Sequence, residues 1–313
     1  MHGPHAETAV CLPESVRVIV RGWLNCNQVV LRAPGANVLV DSGYCTHAQE
    51  TLRLVADALE GEGLAGLVNT HCHSDHMGGN AALAQKYDCS VSIPEGEVKH
   101  IVPWTPQSVW MAQFDQQAVP FEFHDTIAAG QSFEAGALHW EAHAAPGHDM
   151  DALMFFNPQR RVLISGDALW ENGLGFVWPQ EGSNPHIAAA LAALDTIEAL
   201  APAVVIPGHG APFADVPRAL AVARSRLEAF RRDPVKNARH VARVMFVYSL
   251  LDKGGMPAAE VARYLARVPC HVRLAERFLR LDAQAMAEWL LRDLQEAGAV
   301  RVASGQVVPT GMA

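Results

Sequence analysis

The chain has 313 residues, half of them hydrophobic and 18% charged, a composition that excludes disorder and suits one large domain with a smaller companion, or two of similar size. No segment approaches the ~20 unbroken apolar residues that cross a bilayer, and residues 1–14 have neither a basic start nor an apolar run, so no membrane partner and no signal peptide are expected and the location reads as cytoplasmic. The net charge of −9 is uneven: residues 1–215 hold 8 Lys/Arg against 24 Asp/Glu, residues 216–313 hold 16 against 9, and this asymmetry points to two units with different tasks.

The first unit, 1–215, opens as sheet. Runs over 16–20, 26–32 and 37–40 are short and β-rich, with Gly22 and Ala33-Pro34-Gly35 as turns. The third run stops at Asp41-Ser42-Gly43. Residues 51–59 place Leu52, Val55, Ala56 and Leu59 on one helix face. A buried strand over 66–69 runs into Thr70-His71, a helix of small residues follows over 78–87, and a strand over 90–93 ends at Pro94. Residues 138–144 alternate toward Pro146-Gly147-His148. Strands over 153–156 and 162–164 flank Asn157-Pro158, 187–200 is a long amphipathic helix, and a strand over 204–206 stops at Pro207-Gly208-His209. Strands that alternate with helices after an antiparallel start predict an α/β fold, a mixed pair of sheets covered by helices.

Beyond Pro212 the character changes. Residues 216–232, 238–251, 258–266 and 283–297 read as helices, with Gly298 as a C-cap. Residues 300–303 and 306–308 form a hairpin turning at Ser304-Gly305, so 216–313 reads as a helical, winged-helix-like module. Eight cations crowd between Arg218 and Arg243. They read as a docking surface for an anion (nucleic acid, a CoA-type phosphate, or the acidic 1–215 unit) or as a solvated helical face. The interleaved aromatics of a single-strand binder are missing. The favoured reading is therefore complementation of the acidic unit, in cis or across a homodimer, with nucleic acid disfavoured.

Six cysteines, Cys11, Cys26, Cys45, Cys72, Cys89 and Cys270, contain no C-x-x-C pair and read as reduced thiols. The 15 histidines invite a search for metal ligands. The strongest cluster is Thr70-His71-Cys72-His73-Ser74-Asp75-His76-Met77-Gly78-Gly79, where a strand ends and a helix begins. His71 and His73 alternate and share one side of the extended chain. Asp75 and His76 follow at the turn, and Cys72 points away as buried filler. Four polar groups packed at a buried strand end require a partner. Three further segments repeat the pattern of strand end, glycine and ligand: Pro146-Gly147-His148, Ser165-Gly166-Asp167 and Pro207-Gly208-His209. Imidazole and carboxylate together suit Zn²⁺, and also Fe or Mn. His100, His124, His139, His143, His186, His240 and His271 stand outside these motifs and read as ordinary surface or core histidines.

These motifs, with Leu39-Val40-Asp41-Ser42-Gly43, resemble in order and spacing the metallo-β-lactamase-fold hydrolase superfamily, over about residues 15–212. The resemblance implies an αββα sandwich and two divalent ions: His71, His73 and His148 on one, Asp75, His76 and His209 on the other, with Asp167 bridging. Asp41 is similar to the carboxylate that supports the ligands. Zinc β-lactamases generally lack the bridging Asp, whereas glyoxalase II-like, lactonase-like and nuclease-like members carry it, so β-lactam hydrolysis is not the expected activity. The helical C-terminal unit is similar to that of members ending in a winged-helix-like domain.

Two ions sharing a water would acidify it toward neutrality. The expected reaction is attack by the resulting bridging hydroxide on a small ester, thioester or lactone. Asp75, a ligand with one free oxygen, is the candidate for accepting the proton. Trp104, Trp110, Met111 and Phe114 in one segment, and Trp170, Phe176 and Trp178 in another, are candidates to wall an apolar acyl pocket. Two other readings stand beside the hydrolase: a metal-dependent endoribonuclease, and a single-iron persulfide dioxygenase-like enzyme that Asn69-Thr70-His71-Cys72-His73 also fits. Pro207-Gly208-His209 and Trp170-Glu171-Asn172 fit the hydrolases better, and no glutathione-binding signature stands out at the C-terminus.

Overall fold

A computed structural model describes residues 10–310; residues 1–9, which hold most of the stretch read for a signal peptide, lie outside the described residues. Strands β1 (Val16–Ile19), β2 (Gln28–Leu31) and β3 (Val38–Val40) pair as an antiparallel meander. Strands β4 (Gly66–Val68), β5 (Ser90–Pro94) and β6 (Asp125–Ile127) then add in parallel to complete a six-stranded sheet in sequence order. Between them run α1 (Ala48–Leu59), α2 (Ser74–Met77), α3 (Asn80–Tyr87), α4 (Val98–Ile101) and α5 (Met111–Phe114).

The second sheet holds β7 (Ser132–Ala135), β8 (Leu138–Ala144), β9 (Leu153–Asn157) and β10 (Val162–Gly166), all antiparallel. After α6 (Pro185–Leu200), β11 (Val204–Pro207) returns parallel to β10.

Side-chain alternation sorts the strand residues into layers. Val29, Leu31, Val40 and Val68 meet Trp140, Phe155, Ile164 and Ile206 between the sheets. Their neighbours Val30, Leu39 and Leu67 face outward under α1 and α3. Met154, Leu163 and Val205 face outward under α6. The result is an αββα sandwich, as the motifs implied.

The rest of the chain is α7 (Val216–Arg232), α8 (Pro234–Lys253), β12 (Met256–Pro257), α9 (Val261–Arg267), α10 (Pro269–Leu274), α11 (Ala283–Glu296), β13 (Val300–Ala303) and β14 (Gln306–Pro309). The expected hairpin is present, and β12 joins it to make a three-stranded sheet. Helix α8 begins four residues before the expected start. Pro234 fills its first turn and the Asp233 side chain accepts a hydrogen bond from Lys236 N. The segment from α10 into the π-helical turn Ala275–Leu279 was not anticipated.

Helix α7 turns Leu220, Leu227 and Phe230 into the core beneath α6, whereas α8 to α11 share a separate core that begins at Ala238. Ion pairs link the basic and acidic parts in cis: Arg224 with Asp195 at 2.6 Å and Glu198 at 2.9 Å, and Lys253 with Asp115 at 3.0 Å. Among the described residues no helix is long and apolar enough to cross a membrane.

Candidate metal centre

The candidate ligands gather along one edge of the sandwich, just past the C-terminal ends of β4, β8, β10 and β11. His71 lies three residues past the end of β4. His73, with φ −75° and ψ 159°, precedes α2, whose single turn carries Asp75 and His76. His148 lies between β8 and β9, Asp167 directly follows β10, and His209 lies two residues past the end of β11. The glycines act in two ways. Gly147 has φ +139°, a conformation open to glycine, so the chain can reverse before His148. Gly208 instead makes room: a Cβ there would collide with the Asp167 carboxylate.

The structure brings together all seven residues. The side-chain donors of His71, His73 and His148 lie within 4.8 Å of one another, as do those of Asp75, His76 and His209, and those of His71, His76 and Asp167. Asp167 faces both groups. Its Oδ1 is 3.5 Å from His76 Nε2 and 3.7 Å from His209 Nε2, while its Oδ2 is 3.4 Å from His148 Nε2.

Outer polar partners orient the rings of four of the histidines. His76 Nδ1 donates to Asp41 Oδ2 at 2.9 Å. Thr70 Oγ1 donates to Asp41 Oδ2 at 2.8 Å and so accepts from His71 Nδ1 at 3.1 Å. His148 Nδ1 donates to Phe176 O at 2.6 Å, and His73 Nε2 faces Asp149 Oδ2 at 3.4 Å. Each of these four imidazoles therefore turns its other nitrogen inward. Two of these, His71 Nε2 and His76 Nε2, are buried with no hydrogen-bond partner. Two others, His73 Nδ1 and His148 Nε2, face each other at 2.8 Å, a meeting of lone pairs that a cation between them would relieve. Buried polar atoms left in this state are rare in folded proteins, so the donor set fits divalent metal.

Residues 21–209 match the family model of the Metallo-beta-lactamase superfamily, more than half of the chain. The chain belongs to this superfamily. Curated relatives include hydroxyacylglutathione hydrolases from Rhodopseudomonas palustris (strain BisA53), 30% identical over 49% of this chain and 50% of the relative, and from Idiomarina loihiensis, 27% identical over 44% of each. The chain thus matches about half the length of these relatives. Among solved structures, a metallo-beta-lactamase family protein from Thermus thermophilus aligns with TM-score 0.56 at 21% identity, covering 96% of this chain and 100% of that one. A beta-lactamase domain protein from Burkholderia ambifaria aligns with TM-score 0.56 at 22% identity, over 98% and 97%. Both likenesses concern the fold.

The electrostatics of this metallo-beta-lactamase superfamily site favour cations. Burial, with the neighbouring His76, pushes His71 well below the ordinary histidine range, and burial with His148 holds His73 at about 4. Both rings are neutral at pH 7, the form that donates a lone pair. Burial also opposes charge on His76, but Cys26, Asp41, Asp167 and Asp75 outweigh it and raise its pKa well above the usual value. Burial alone would raise Asp167; His209, His76 and His148 together hold it well below the carboxylate range. The field that favours a proton on His76 is the field that would favour a metal ion.

Above the cluster lies a cavity of ≈ 180 Å³ floored by His73, Asp75, His148, Asp167 and His209. Trp110, Met111, Phe114, Trp170 and Phe176 wall it, and α8 contributes Val244, Met245 and Tyr248. Two of the anticipated tryptophans lie elsewhere. Trp104 packs on the core of the first sheet beside Phe121, and Trp178 packs on the C-terminal core under Arg273. Both sit a few residues from the cavity segments but turn their rings into neighbouring cores.

Four residues near the site escaped the sequence reading. Trp23 stacks on His209 with ring centroids 4.3 Å apart, and His240 lines the cavity. Asp149 backs His73, and Glu97 beneath it is pushed well above the carboxylate range by burial and by Asp149. Asp149 follows a ligand directly, which was a usable signal. Trp23, Glu97 and His240 are distant in sequence and carried none.

Proposed function

We propose that the chain is a dimetal hydrolase of small esters, with thioesters as the favoured class. His71, His73 and His148 would hold one ion and Asp75, His76 and His209 the other. The observation that carries this reading is the placement of Asp167, one oxygen toward each histidine group. Bound divalent ions, zinc foremost, would supply electrophilic polarisation and a water acidified to near neutrality.

The chain's own groups do the rest. Asp75 lies on the cavity floor, where His76 and His209 overcome its burial and keep it ionised, so it is placed to accept a proton from the nucleophile. His209 Nε2 meets its Oδ2 at 3.1 Å and fixes its direction. Asp41 and Asp149 orient His76 and His73. The aromatic wall excludes water and would receive an apolar acyl group. Residues 1–215 would thus carry the chemistry, and the 216–313 unit would shape substrate entry through α8. The curated relatives named as hydroxyacylglutathione hydrolases support the thioester class. The six unpaired cysteines support a reducing, cytoplasmic setting.

Metal analysis of protein prepared without added metal, combined with turnover of acyl thioesters, tests the proposal. Two ions per chain with thioester hydrolysis is the expected result. One iron per chain with oxygen-dependent persulfide oxidation would replace it with the dioxygenase reading, and RNA cleavage without ester turnover with the ribonuclease.

A further inference from the structure

A second concavity of ≈ 610 Å³ lies between α7 and α8. Its edges carry Arg218 and Arg226 from α7 with Lys236 and Arg243 from α8. Glu171 stands 3.8 Å from Arg218, and Asp293 pairs with Arg243 at 2.5 Å. Arg226 and Lys236 have no carboxylate in ion-pair reach among the described residues. Arg226 is half-buried, and its guanidinium donates a hydrogen bond to the backbone oxygen of Asn172 at 2.8 Å. A half-buried guanidinium without a counter-ion is suited to receive an anion.

This groove adjoins the cavity already described. His240 lines both, and Arg226 rests on the loop whose Trp170 and Leu174 wall the cavity. One side of α8 links the two: Tyr248 and Val244 face the cavity, His240 stands at the junction, and Lys236 faces the groove one turn further. At ~1.5 Å per residue, Tyr248 and Lys236 are about 18 Å apart along the helix.

We propose that the groove binds the phosphate-bearing nucleotide end of a coenzyme A thioester, whose arm passes His240 and delivers the acyl carbonyl to the cavity floor. The inference rests on the thioester reading above and names its thiol half. The dimensions agree: the arm between the sulfur and the first phosphorus has about thirteen bonds and spans about 15 Å when extended like a backbone. Phosphate is the anion that a forked guanidinium and an ammonium together recognise. A polynucleotide would require a longer track of uncovered cations, and the thiol half of an acylglutathione is too short to require the groove.

The full-length protein is assayed with one acyl group on three thiols: coenzyme A, pantetheine and glutathione. Binding of adenosine 3′,5′-bisphosphate is measured separately by calorimetry and needs no turnover. The expected kcat/KM for acyl-CoA exceeds that for acyl-pantetheine by about tenfold or more. In Arg226→Gln and Lys236→Gln that ratio falls about tenfold, the scale of one charge-assisted hydrogen bond, and bisphosphate binding weakens in parallel. Lys236 is exposed, so its variant tests the groove without disturbing a core. Equal turnover of acyl-CoA and acyl-pantetheine, or preference for acylglutathione, overturns the groove assignment and leaves the thioester reading standing. Absence of all thioester turnover removes that reading; the bisphosphate titration still judges the groove, and no binding, or displacement only by RNA, overturns it.

Discussion

Asp41→Asn should weaken one metal group more than the other. Asp41 is buried just past β3 and its carboxylate serves four donors, the longest being Asn69 Nδ2 to Oδ1 at 3.5 Å. Oδ1 accepts from Thr70 N at 2.8 Å, and Oδ2 accepts from Thr70 Oγ1 at 2.8 Å and from His76 Nδ1 at 2.9 Å. An asparagine has one oxygen where the carboxylate has two. Whichever way the amide turns, its NH₂ faces at least one buried donor, and an unpaired buried group costs about 1–3 kcal/mol. The backbone is not a confounding factor, because residue 41 has φ +60° and asparagine tolerates that region well. Loss of an outer partner of this kind typically lowers metal affinity about 10–100-fold, or about 1.4–2.7 kcal/mol. The larger loss should fall on the Asp75, His76 and His209 group, because Asp41 holds His76 directly and reaches His71 only through Thr70. Competition against a chromophoric chelator, with the two ions resolved in the titration, measures it. Equal weakening of both ions, or none, would refute the argument that Asp41 acts through the orientation of His76.

Asp167→Asn should behave differently and weaken both ions together, since each of its oxygens faces a different histidine group; a chelator titration that loses a single ion would make Asp167 a terminal ligand. Trp110→Ala and Trp170→Ala should raise KM for long-chain acyl thioesters more than for acetyl ones, whereas Trp178→Ala should alter stability without that chain-length dependence. His271 is fully buried with neither ring nitrogen hydrogen-bonded, and burial holds its pKa at about 4. The unfolded chain takes up this proton near pH 6.5 and the folded chain does not, so stability is lost as pH falls from 6.5 toward 4, by about 2 kcal/mol between pH 7 and 5. In His271→Leu that part of the acid sensitivity should disappear from urea unfolding curves, and an unchanged pH dependence would show that His271 is not the group responsible.

The features legible in the sequence were those with a local cause. The strand-end grammar around His71, His148, Asp167 and His209 is a backbone requirement written in adjacent residues, and it located four segments of one edge. The β-rich runs over 26–32 and 37–40 foretold short strands, and 28–31 and 38–40 form them. Strands β6 and β7 were not anticipated because they are short and largely polar, and pairing rather than periodicity holds them. The cavity was legible in part. Its aromatic segments were visible, but whether a ring turns inward depends on which core stands closest, and Trp104 and Trp178 found one elsewhere. Trp23 and His240 reach the site from elements far away in sequence, and no pattern of spacing records such a meeting.

The roof over the cavity has a consequence for how the molecule can vary. Val244, Met245 and Tyr248 project from a helix whose opposite side is anchored in the C-terminal core, while the histidines hang from the sheets of another core. Substitution at Val244 therefore changes the space offered to an acyl chain without touching the ligand segments, whereas the Tyr248 hydroxyl reaches Ser74, between the ligands His73 and Asp75. Selectivity can thus be varied from that one helix, and a library that keeps Tyr248 and Met245 and varies Val244 can explore new substrates at little risk to the centre beneath it.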